Sequence, residues 1–254
     1  MKYTFGTSEA AAGRLEEIAR FFNPHSSLFI RQHVKRPVGS VIDLGCGPGF
    51  STDMLSAAMD CPNVHGLDSS AEFIEMAANR FSCCTFVEHD VTRSPFPVQA
   101  EVIYCRFLLS HLTDAVQLMN RWTANLPIGG RLGVEELEDI DTDVRVFRKY
   151  LAINDALIAS QSASLYVGGI LGSGVYSANV LYNECVSIQV ANCQAATWFL
   201  PNTVTVWEKE PHVLENTTRA ERERVSAELL RIKESGDSRM GNVWKMRRLV
   251  LERR

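Results

Sequence analysis

The chain has 254 residues, a formal net charge of −4 at pH 7 and an apolar fraction of 46%. An apolar fraction of this size is typical of a packed globular core and excludes a wholly disordered chain. The acidic balance argues against general nucleic-acid binding, which requires a basic footprint. No run of about 18 apolar residues occurs, so the sequence predicts no transmembrane helix. The first residues lack the apolar core of a secretory signal, and we therefore expect a cytoplasmic protein without a membrane partner.

The seven cysteines and six histidines are scattered along the chain. The cysteines include no C-x-x-C pair, so we expect free thiols in a reducing compartment. The histidines include no H-x-x-x-H pair, and we expect no metal site. The length fits one large domain or a core with a cap.

The first readable element is a short buried strand over 40–44 that leads into a glycine-rich turn. Residues 41–50 read V-I-D-L-G-C-G-P-G-F, so Asp43 closes the apolar run and Gly45, Gly47 and Gly49 follow on alternate positions. Glycine lets the backbone approach a ligand closely because it has no Cβ. A helix is predicted over 50–59. Strand, glycine turn and helix form the first unit of a nucleotide-binding α/β sheet, whose ligand lies beyond the carboxyl ends of the strands.

The spacing of this turn separates three ligand classes. A phosphate-binding loop needs Lys and then Ser or Thr after the last glycine, and Gly49-Phe50-Ser51 contains no lysine. A dinucleotide fingerprint has the spacing G-x-G-x-x-G, whereas this turn has G-x-G-x-G preceded by an acid. A carboxylate suits a ligand with an ammonium group, such as S-adenosylmethionine, which carries no phosphate. A plain glycine turn between strand and helix is the alternative.

Three more strands are predicted in the N-terminal half, over 63–67, 85–88 and 101–105. The first of them ends at Asp68, and an acid about 20 residues after the glycine turn is where a ribose-binding carboxylate belongs. A surface turn acid is the alternative for Asp68. Ser69 and Glu72 have capping-box spacing for a helix that continues to residue 80, and Asp114 is a candidate N-cap for a helix over 114–126.

The D-x-G-x-G-x-G pattern resembles the first motif of the class I S-adenosylmethionine-dependent methyltransferases of small molecules, and four motifs over 36–140 follow that family's order. The resemblance implies S-adenosylmethionine as cofactor, with Asp90 contacting the adenine amino group and Val91 packing on the ring. It also implies that the segment R-F-L-L-S-H-L at 106–112 passes beneath the methionine moiety and opens the substrate pocket. Tyr3 lies in an N-terminal segment that folds over the cofactor in related chains; a frayed end is the alternative. The predicted cofactor-binding residues are Tyr3, Asp43, Gly45, Cys46, Gly47, Gly49, Asp68, Ser69, Asp90, Val91, Arg106, Phe107 and His111.

The C-terminal half has less distinctive patterns. A fifth strand is predicted over 129–134, a helix over 141–163, a sixth strand over 184–190, a helix over 218–235 and a final strand over 242–251. The glycine-rich stretch 165–176 is predicted to be irregular, either a connector or a mobile pocket lid. The cluster Trp198-Phe199-Leu200-Pro201 lies between predicted elements, where large apolar residues either line a ligand pocket or pack in the core.

Alternating strands and helices predict an α/β fold with helices on both faces of the sheet. We expect a Rossmann-like three-layer sandwich with a mostly parallel seven-stranded sheet, an antiparallel last strand and cap elements in the C-terminal half. The prediction is one methyltransferase domain over 1–254, with a cofactor-binding core over 36–140 and a substrate cap over 141–217. As a protein of this kind the chain would act as a monomer or homodimer.

Two groups of residues are candidates for chemistry at the acceptor. His111 follows the fourth strand and has an unperturbed pKa near neutrality, so it could act as a general base or only position a ligand. Glu135 and Glu136 follow the fifth strand in a run of acids. They could bind a cationic substrate together with Trp198, or begin a solvated helix, because acids favour a helix N-terminus.

Three functions are compatible with these residues. The first is an S-adenosylmethionine-dependent methyltransferase that methylates oxygen or nitrogen of a small-molecule acceptor in specialised (secondary) metabolism. The second is an enzyme of the same fold and cofactor that catalyses a rearrangement or cyclisation without methyl transfer. The third is a non-catalytic binding subunit. The intact glycine turn and Asp68 argue for cofactor binding, and they do not separate the first two functions.

Overall fold

The core of the molecule is one seven-stranded sheet with helices on both faces. A computed structural model describes residues 8–34 and 37–254. The strand order is β3-β2-β1-β4-β5-β7-β6. The pairs among β1 to β5 are parallel, and β7 runs antiparallel to both of its neighbours. This arrangement confirms the predicted Rossmann-like α/β fold. The strands are β1 (Val41–Leu44), β2 (Val64–Asp68), β3 (Thr85–Glu88), β4 (Val102–Arg106), β5 (Arg131–Thr142), β6 (Asn179–Val190) and β7 (Asn242–Glu252).

The helices of the described residues alternate with these strands in the N-terminal half and cluster around β5 to β7 in the C-terminal half. They are α1 (Glu9–Phe29), α2 (Phe50–Met59), α3 (Ala71–Arg80), α4 (Ala115–Ala124), α5 (Arg145–Ser160), α6 (Val167–Gly172), α7 (Asn192–Thr205), α8 (Pro211–Asn216) and α9 (Arg219–Ser235). A π-helical turn over Ile30–Val34 extends α1, and a 3₁₀ turn over Leu109–His111 follows β4. None of the described helices is long and apolar enough to cross a membrane.

The elements of the N-terminal half lie close to their predicted positions. The helix over 50–59 and the strand over 85–88 have the predicted bounds, β1 differs by one residue at its start, and β2 and β4 are each displaced by one residue. β1, β2 and β4 are central strands of the sheet and largely buried, so apolar residues dominate them and local sequence already indicates them. The predicted helix over 218–235 is α9, which starts at a capping box in which Thr218 and Glu221 bond reciprocally.

Two predicted caps are wrong in detail. Ser70, and not Ser69, caps α3, because its hydroxyl accepts a hydrogen bond from the backbone N–H of Phe73. Asp114 stands at the N-cap of α4 in a left-handed conformation, with φ of 54°, and its side chain makes no capping bond. In both cases the helix starts at or next to the predicted residue.

The largest correction concerns the acidic run after the predicted fifth strand. β5 continues to Thr142, so Glu135 and Glu136 lie inside a strand and do not begin a helix. Basic residues of β7 face these acids across the antiparallel ladder. Arg248 contacts Glu135 at 2.7 Å, Arg247 contacts Glu138 at 2.6 Å, and Lys245 contacts Asp139 at 2.8 Å. Opposite charges on facing positions favour pairing of two strands, so the acids extend the sheet.

Several C-terminal elements also differ from the prediction. Trp198 lies inside α7 rather than between elements. The stretch 165–176 contains the short helix α6, where a Cβ on Gly168 would lie 2.8 Å from the Cβ of Glu138. The prediction did not include α1, which begins at an N-cap, Ser8. The division into a core over 36–140 and a cap over 141–217 stays a prediction. In the structure, β6 and β7 belong to the same sheet as β1 to β5.

An aromatic cluster joins α1, α5, α7 and β7 on one side of the sheet. The rings of Phe22 and Trp198 lie 5.6 Å apart, and those of Trp198 and Trp244 lie 5.3 Å apart. Phe199 stacks on Tyr150 at 4.2 Å. All five of these side chains are buried. Aromatic side chains bury large areas and prefer such edge and offset contacts, so this cluster fixes α1 and α7 against the end of the sheet.

Candidate functional site

A deep cavity opens at the carboxyl ends of β1, β2 and β4 and continues toward the aromatic cluster. One end is lined by the glycine turn and by residues at or just after the ends of β2, β3 and β4, among them Asp68, Asp90 and His111. At the other end it is lined by residues of β5, α5, α7 and β7, among them Leu137 and Trp198. Ligands of open α/β sheets bind at the carboxyl ends of the strands. We call the first end the cofactor end and the second end the acceptor chamber.

The acceptor chamber is defined by the lining residues from β5 onward. All of them lie beyond the glycine turn in sequence by about 90 residues or more. They are Leu137, Ile140, Tyr150, Leu151, Asn154, Leu165, Trp198, Phe199, Asn202 and Trp244. The sequence prediction named only Trp198 among them. The others are apolar or amide residues of ordinary helix and strand patterns, which carry no local mark of a binding site.

The glycine turn forms the floor of the cofactor end. Gly45 donates its N–H to the carbonyl of Leu67, which joins the turn to β2. A Cβ on Gly45 would lie 2.6 Å from a methyl carbon of Leu108, so packing against the turn after β4 excludes a side chain there. Gly47 has φ of +52°, and a Cβ there would meet Leu15 of α1, at 3.7 Å, and nothing else among the described residues. Gly47 therefore leaves open space between the turn and α1, in a conformation that favours glycine.

Asp68 is the best-placed carboxylate of the cofactor end. Its Oδ2 accepts the N–H of Gly47 at 2.9 Å, and its Oδ1 accepts the N–H of Ser70 at 2.9 Å. Burial raises the pKa of Asp68, while these backbone hydrogen bonds oppose the rise. A carboxylate has about four lone-pair sites. Asp68 therefore keeps acceptor capacity for the hydroxyls of a ribose in the cavity.

Asp90 and Val91 also line the cavity, as predicted from the resemblance. The Oδ1 of Asp90 accepts hydrogen bonds from the N–H and the hydroxyl of Thr92, at 3.0 and 2.7 Å. The hydrogen bond from the Thr92 hydroxyl is the main cause of a lowered pKa for Asp90. A carboxylate held ionised beside an apolar side chain fits the amino group and the flat face of an adenine ring.

Asp43 and Gly49 do not line the cavity, although both belong to the predicted motif. Asp43 is 1% exposed, and its Oδ2 accepts hydrogen bonds from the hydroxyls of Ser51 and Thr52 at 2.6 and 2.8 Å. Burial raises the pKa of Asp43 to about 6. The structure therefore gives Asp43 a role in joining β1 to the start of α2. In this arrangement Asp43 does not contact an ammonium group in the cavity directly.

Arg106 and Phe107 lie on the wall where β4 ends, together with Cys46 and Ser69 nearer the turn. The guanidinium of Arg106 donates to the side-chain oxygens of Ser26 and Asn23, both at 2.8 Å. Arg106 thus joins the sheet to α1 as well as lining the cavity. Phe107 has φ of +56°, which is uncommon outside glycine. Such conformations are concentrated at binding sites, and here it turns the chain sharply after β4.

His111 lies on the cavity wall, half-buried, at the end of the 3₁₀ turn. Burial lowers its pKa to about 4, and the nearby charge of Arg14 acts in the same direction. The pKa of His111 therefore lies well below the unperturbed value, near neutrality, on which its candidacy as a base rested. At pH 7 the imidazole is neutral, and one ring nitrogen of a neutral imidazole is a proton acceptor.

Glu135 and Glu136 are used inside the fold. Glu135 accepts hydrogen bonds from the hydroxyl of Tyr104 and the guanidinium of Arg248, at 2.8 and 2.7 Å. The Oε1 of Glu136 accepts the N–H groups of Leu108 and Leu109, at 2.7 and 2.8 Å. Neither carboxylate is among the residues that line the cavity. This corrects the interpretation of both as a pocket for a cationic substrate.

α1 covers the cofactor end, and the prediction missed this part of the wall. Arg14, Leu15, Ile18 and Ala19 of α1 line the cavity. Apolar and small residues recur at helical spacing along 11–29, after a serine that can cap, and that pattern could have identified the helix. Tyr3 lies outside the described residues, so its assignment to the cofactor site stays a prediction.

Sequence comparison supports a methyltransferase assignment for the segment that carries most of the cofactor end. A family model described as a methyltransferase domain matches residues 41–130. A trans-aconitate 2-methyltransferase of Klebsiella pneumoniae (strain 342) is 36% identical over 98 residues, which are 39% of either chain. Another, of Rhodopseudomonas palustris (strain HaA2), is 30% identical over 117 residues, or 46% of either chain. The chain thus matches these relatives over less than half of their length.

Solved structures resemble the whole chain in fold. Coclaurine N-methyltransferase, in a complex with N-methylheliamine and S-adenosylhomocysteine, has a TM-score of 0.60 and 15% identity, covering 100% of this chain and 76% of its own. The YcgJ protein of Bacillus subtilis has a TM-score of 0.52 and 17% identity, covering 91% of this chain and 99% of its own. At these identities the likeness concerns the fold alone.

The sheet, the cavity at its carboxyl ends and the matched segment together define the class of protein. Residues 41–130 match a methyltransferase domain, and the described residues have the fold of solved methyltransferase structures. This match agrees with the predicted family and with its predicted cofactor, S-adenosylmethionine. The glycine turn, Asp68, Asp90 and Val91 are the residues of this chain that fit that cofactor.

Proposed function

We propose that this protein transfers a methyl group from S-adenosylmethionine to oxygen or nitrogen of a small-molecule acceptor. One observation carries the proposal, namely that a single cavity joins the cofactor end to a separate chamber. A non-catalytic binding subunit needs the first part of this cavity and has no need of the second. A role in specialised metabolism stays a prediction.

The residues of the cofactor end divide the work of binding. Asp68 offers lone pairs to ribose hydroxyls, Asp90 offers a carboxylate to an amino group, and Val91 offers an apolar surface to the ring. Gly47 leaves the space in which the cofactor lies against the backbone. When bound, S-adenosylmethionine supplies an electrophilic methyl carbon on its sulfonium.

The chain's contribution to the chemistry is alignment and the handling of one proton. An in-line displacement is accelerated mainly when nucleophile and electrophile are held at attack distance. The walls of the acceptor chamber hold the acceptor and exclude water. His111 lies on the wall of the same cavity, at the cofactor end, and its neutral imidazole can accept a proton from the attacking hydroxyl or amine. A group that only positions the acceptor would occupy the same place.

The first test is binding of S-adenosylhomocysteine, measured by calorimetric titration. We expect one site per chain with a dissociation constant in the micromolar range, or about −8 kcal/mol. Asp68→Ala should weaken binding by ~10- to 100-fold, because hydrogen bonds to a charged group contribute about 1.5–3 kcal/mol each. Asp60→Ala is the matched control, since Asp60 is an exposed aspartate at the end of α2.

The second test is transfer of a labelled methyl group to a panel of hydroxyl and amine acceptors, with products identified by mass. A product heavier by one methyl group supports the proposal. A product of unchanged carbon count, formed only with the cofactor present, would indicate the rearrangement or cyclisation instead. Binding of NAD or ATP in place of S-adenosylhomocysteine would contradict the cofactor assignment itself.

A further inference from the structure

The acceptor chamber has a distinct chemical character. From β5 onward, none of the described residues that line it is Lys, Arg, His, Asp or Glu. Its polar side chains are Asn154, Asn202 and the hydroxyl of Tyr150. Both amides are engaged within the fold. Asn202 donates to the Tyr150 hydroxyl at 2.7 Å, and Asn154 donates to the Tyr150 carbonyl at 2.9 Å.

The aromatic rings of the chamber have an ordered arrangement. Tyr150 and Phe199 are stacked, with centroids 4.2 Å apart and planes 17° apart. Phe199 and Trp244 are also close to parallel, at 17° and 6.2 Å. Trp198 stands edge-on to Trp244 at 82°. These rings pack on one another, so the chamber wall is built largely of aromatic surface, and such surface packs well against an aromatic partner.

Charged side chains on the cavity wall belong to the cofactor end. Asp68 is the last residue of β2, Asp90 follows β3, and Arg106 is held by Asn23 and Ser26 of α1. Arg14 acts electrostatically on His111, which places its charge near the junction of the two ends. Neither Arg14 nor Arg106 belongs to the chamber lining, so a carboxylate held inside the chamber has no cation beside it among the described lining residues.

The indole groups of Trp198 and Trp244 supply the chamber's unused donors. Each has a buried Nε1 without a hydrogen-bond partner among the described residues. Both residues line the cavity. Buried tryptophan N–H groups usually find an acceptor, and a carbonyl or hydroxyl oxygen of a neutral ligand is a suitable one.

From these features we infer that the acceptor is an uncharged molecule with an aromatic ring, and that polycarboxylates are excluded. Burying a carboxylate without a paired cation is very costly, and trans-aconitate carries three. The acceptor named for the relatives above therefore does not fit this chamber. The chamber lies on residues 137–244, outside the segment that the methyltransferase model matches. This inference rests on the proposed function, since it describes the second ligand of the same cavity.

The test uses the full chain saturated with S-adenosylhomocysteine, so that binding is read without turnover. Four probes are titrated by calorimetry: 2-naphthol, 2-naphthoate, methyl 3,4-dihydroxybenzoate and trans-aconitate. We expect the naphthol and the ester to bind, 2-naphthoate to bind at least about tenfold more weakly than 2-naphthol, and trans-aconitate to show no saturable binding. The two naphthalene compounds share one ring and differ mainly in charge.

Two variants locate the site of discrimination. Leu165→Arg places a cation on the half-buried chamber wall and should narrow or reverse the preference for 2-naphthol over 2-naphthoate. Leu230→Arg makes the same change at an exposed position of α9 and should leave the preference unchanged. Trp198→Leu should weaken binding of 2-naphthol by about tenfold, since aromatic pairs and their buried area contribute on the order of 1.5 kcal/mol.

Saturable binding of trans-aconitate at least as tight as that of 2-naphthol would overturn the inference, as would failure of both uncharged rings to bind. These outcomes are separate from failure of the proposed function. If S-adenosylhomocysteine binds and trans-aconitate is methylated, the function stands and the inference falls. If S-adenosylhomocysteine does not bind, the function itself falls.

Discussion

At the scale of single residues, His111 is the side chain whose protonation bears most directly on catalysis. Its pKa is lowered to about 4 because charge on the imidazole is poorly solvated there and Arg14 lies nearby. The neutral form therefore predominates from pH 5 upward. A lowered pKa also makes the imidazole a weaker base, so its contribution depends on how closely it is aligned with the acceptor.

Replacement of His111 separates the two roles open to it. If His111 is the general base, His111→Ala should lower kcat by about 10²- to 10⁴-fold and leave cofactor affinity unchanged. The wild-type rate should be level from pH 8 to pH 5 and fall as the pH drops through about 4, because protonation then removes the acceptor lone pair. His212→Ala is a control on α8, away from the cavity.

Initial rates at saturating acceptor, measured over this pH range, decide between the roles. A raised KM with kcat retained would indicate positioning only. A wild-type rate that halves between pH 7 and pH 6 would contradict the lowered pKa.

Glu136 leads to a prediction about stability. Burial raises the pKa of Glu136 to about 7, compared with 4.5 for an ordinary glutamate. Between these values the folded protein binds a proton that the unfolded chain releases, so this group's contribution to stability decreases as the pH rises. Glu136→Gln cannot titrate. The free energy of unfolding of wild type relative to Glu136→Gln should therefore fall by up to about 3 kcal/mol between pH 4.5 and pH 7.

Urea unfolding at several pH values measures this difference. Comparison with the variant is needed because His111 acts in the opposite direction. Its lowered pKa makes stability increase as the pH rises from about 4 toward 6.5. Glu234→Gln, at an exposed position of α9, should differ from wild type by a constant amount. A constant difference for Glu136→Gln as well would contradict the raised pKa.

At the scale of elements, α1 is the part of the cavity wall with the longest-range attachments. Asn23 donates to the carbonyl of Phe50 at 3.0 Å, and Glu16 forms an ion pair with Arg80 of α3 at 2.8 Å. Arg106 reaches α1 from the end of β4. The Glu16–Arg80 pair is solvent-exposed and contributes little, so the half-buried Arg106 should matter more.

Arg106→Lys tests this attachment. A lysine carries one ammonium group and cannot reproduce the planar fork that reaches two oxygens. Amide hydrogen exchange over 9–29 should become about tenfold faster, which corresponds to the loss of one hydrogen bond to a charged group. Cofactor affinity should fall together with it, because α1 covers the glycine turn.

Arg121→Lys is the matched control, since Arg121 is exposed on α4. Exchange over 9–29 that is unchanged in Arg106→Lys would contradict a role of Arg106 in holding α1.

At the scale of the whole molecule, local patterns predicted the cofactor end well and the acceptor chamber poorly. The turn with Gly45, Gly47 and Gly49 and the acid Asp68 are defined by spacing within about 25 residues, so sequence alone could identify them. The chamber depends on contacts such as Tyr150 with Phe199 and Phe22 with Trp198, which join residues far apart in the chain. The extension of β5 depends on ion pairs with basic residues of β7 that lie more than 100 residues away in the chain.

Asp43 shows a different limit of prediction from sequence. The motif correctly indicated a buried carboxylate at the end of β1 and did not indicate its direction. That direction is set by the hydroxyls of Ser51 and Thr52, which the start of α2 brings within 2.8 Å. A motif names residue types, whereas the partner of each side chain follows from the packing around it.

The long pairing of β5 with β7 has a consequence for how such a chain can change. β5 pairs with β4 over its first five residues and then continues with β7 alone, toward the chamber. β5 is thus one continuous strand. Its first half belongs to the part of the sheet that carries the cofactor end, and its second half carries side chains that line the chamber. Substitutions on α5, α7 and the far half of β5 can retarget the reaction to new acceptors while the glycine turn stays untouched. Chimeras that exchange these segments between related chains are therefore a direct route to new methylation products.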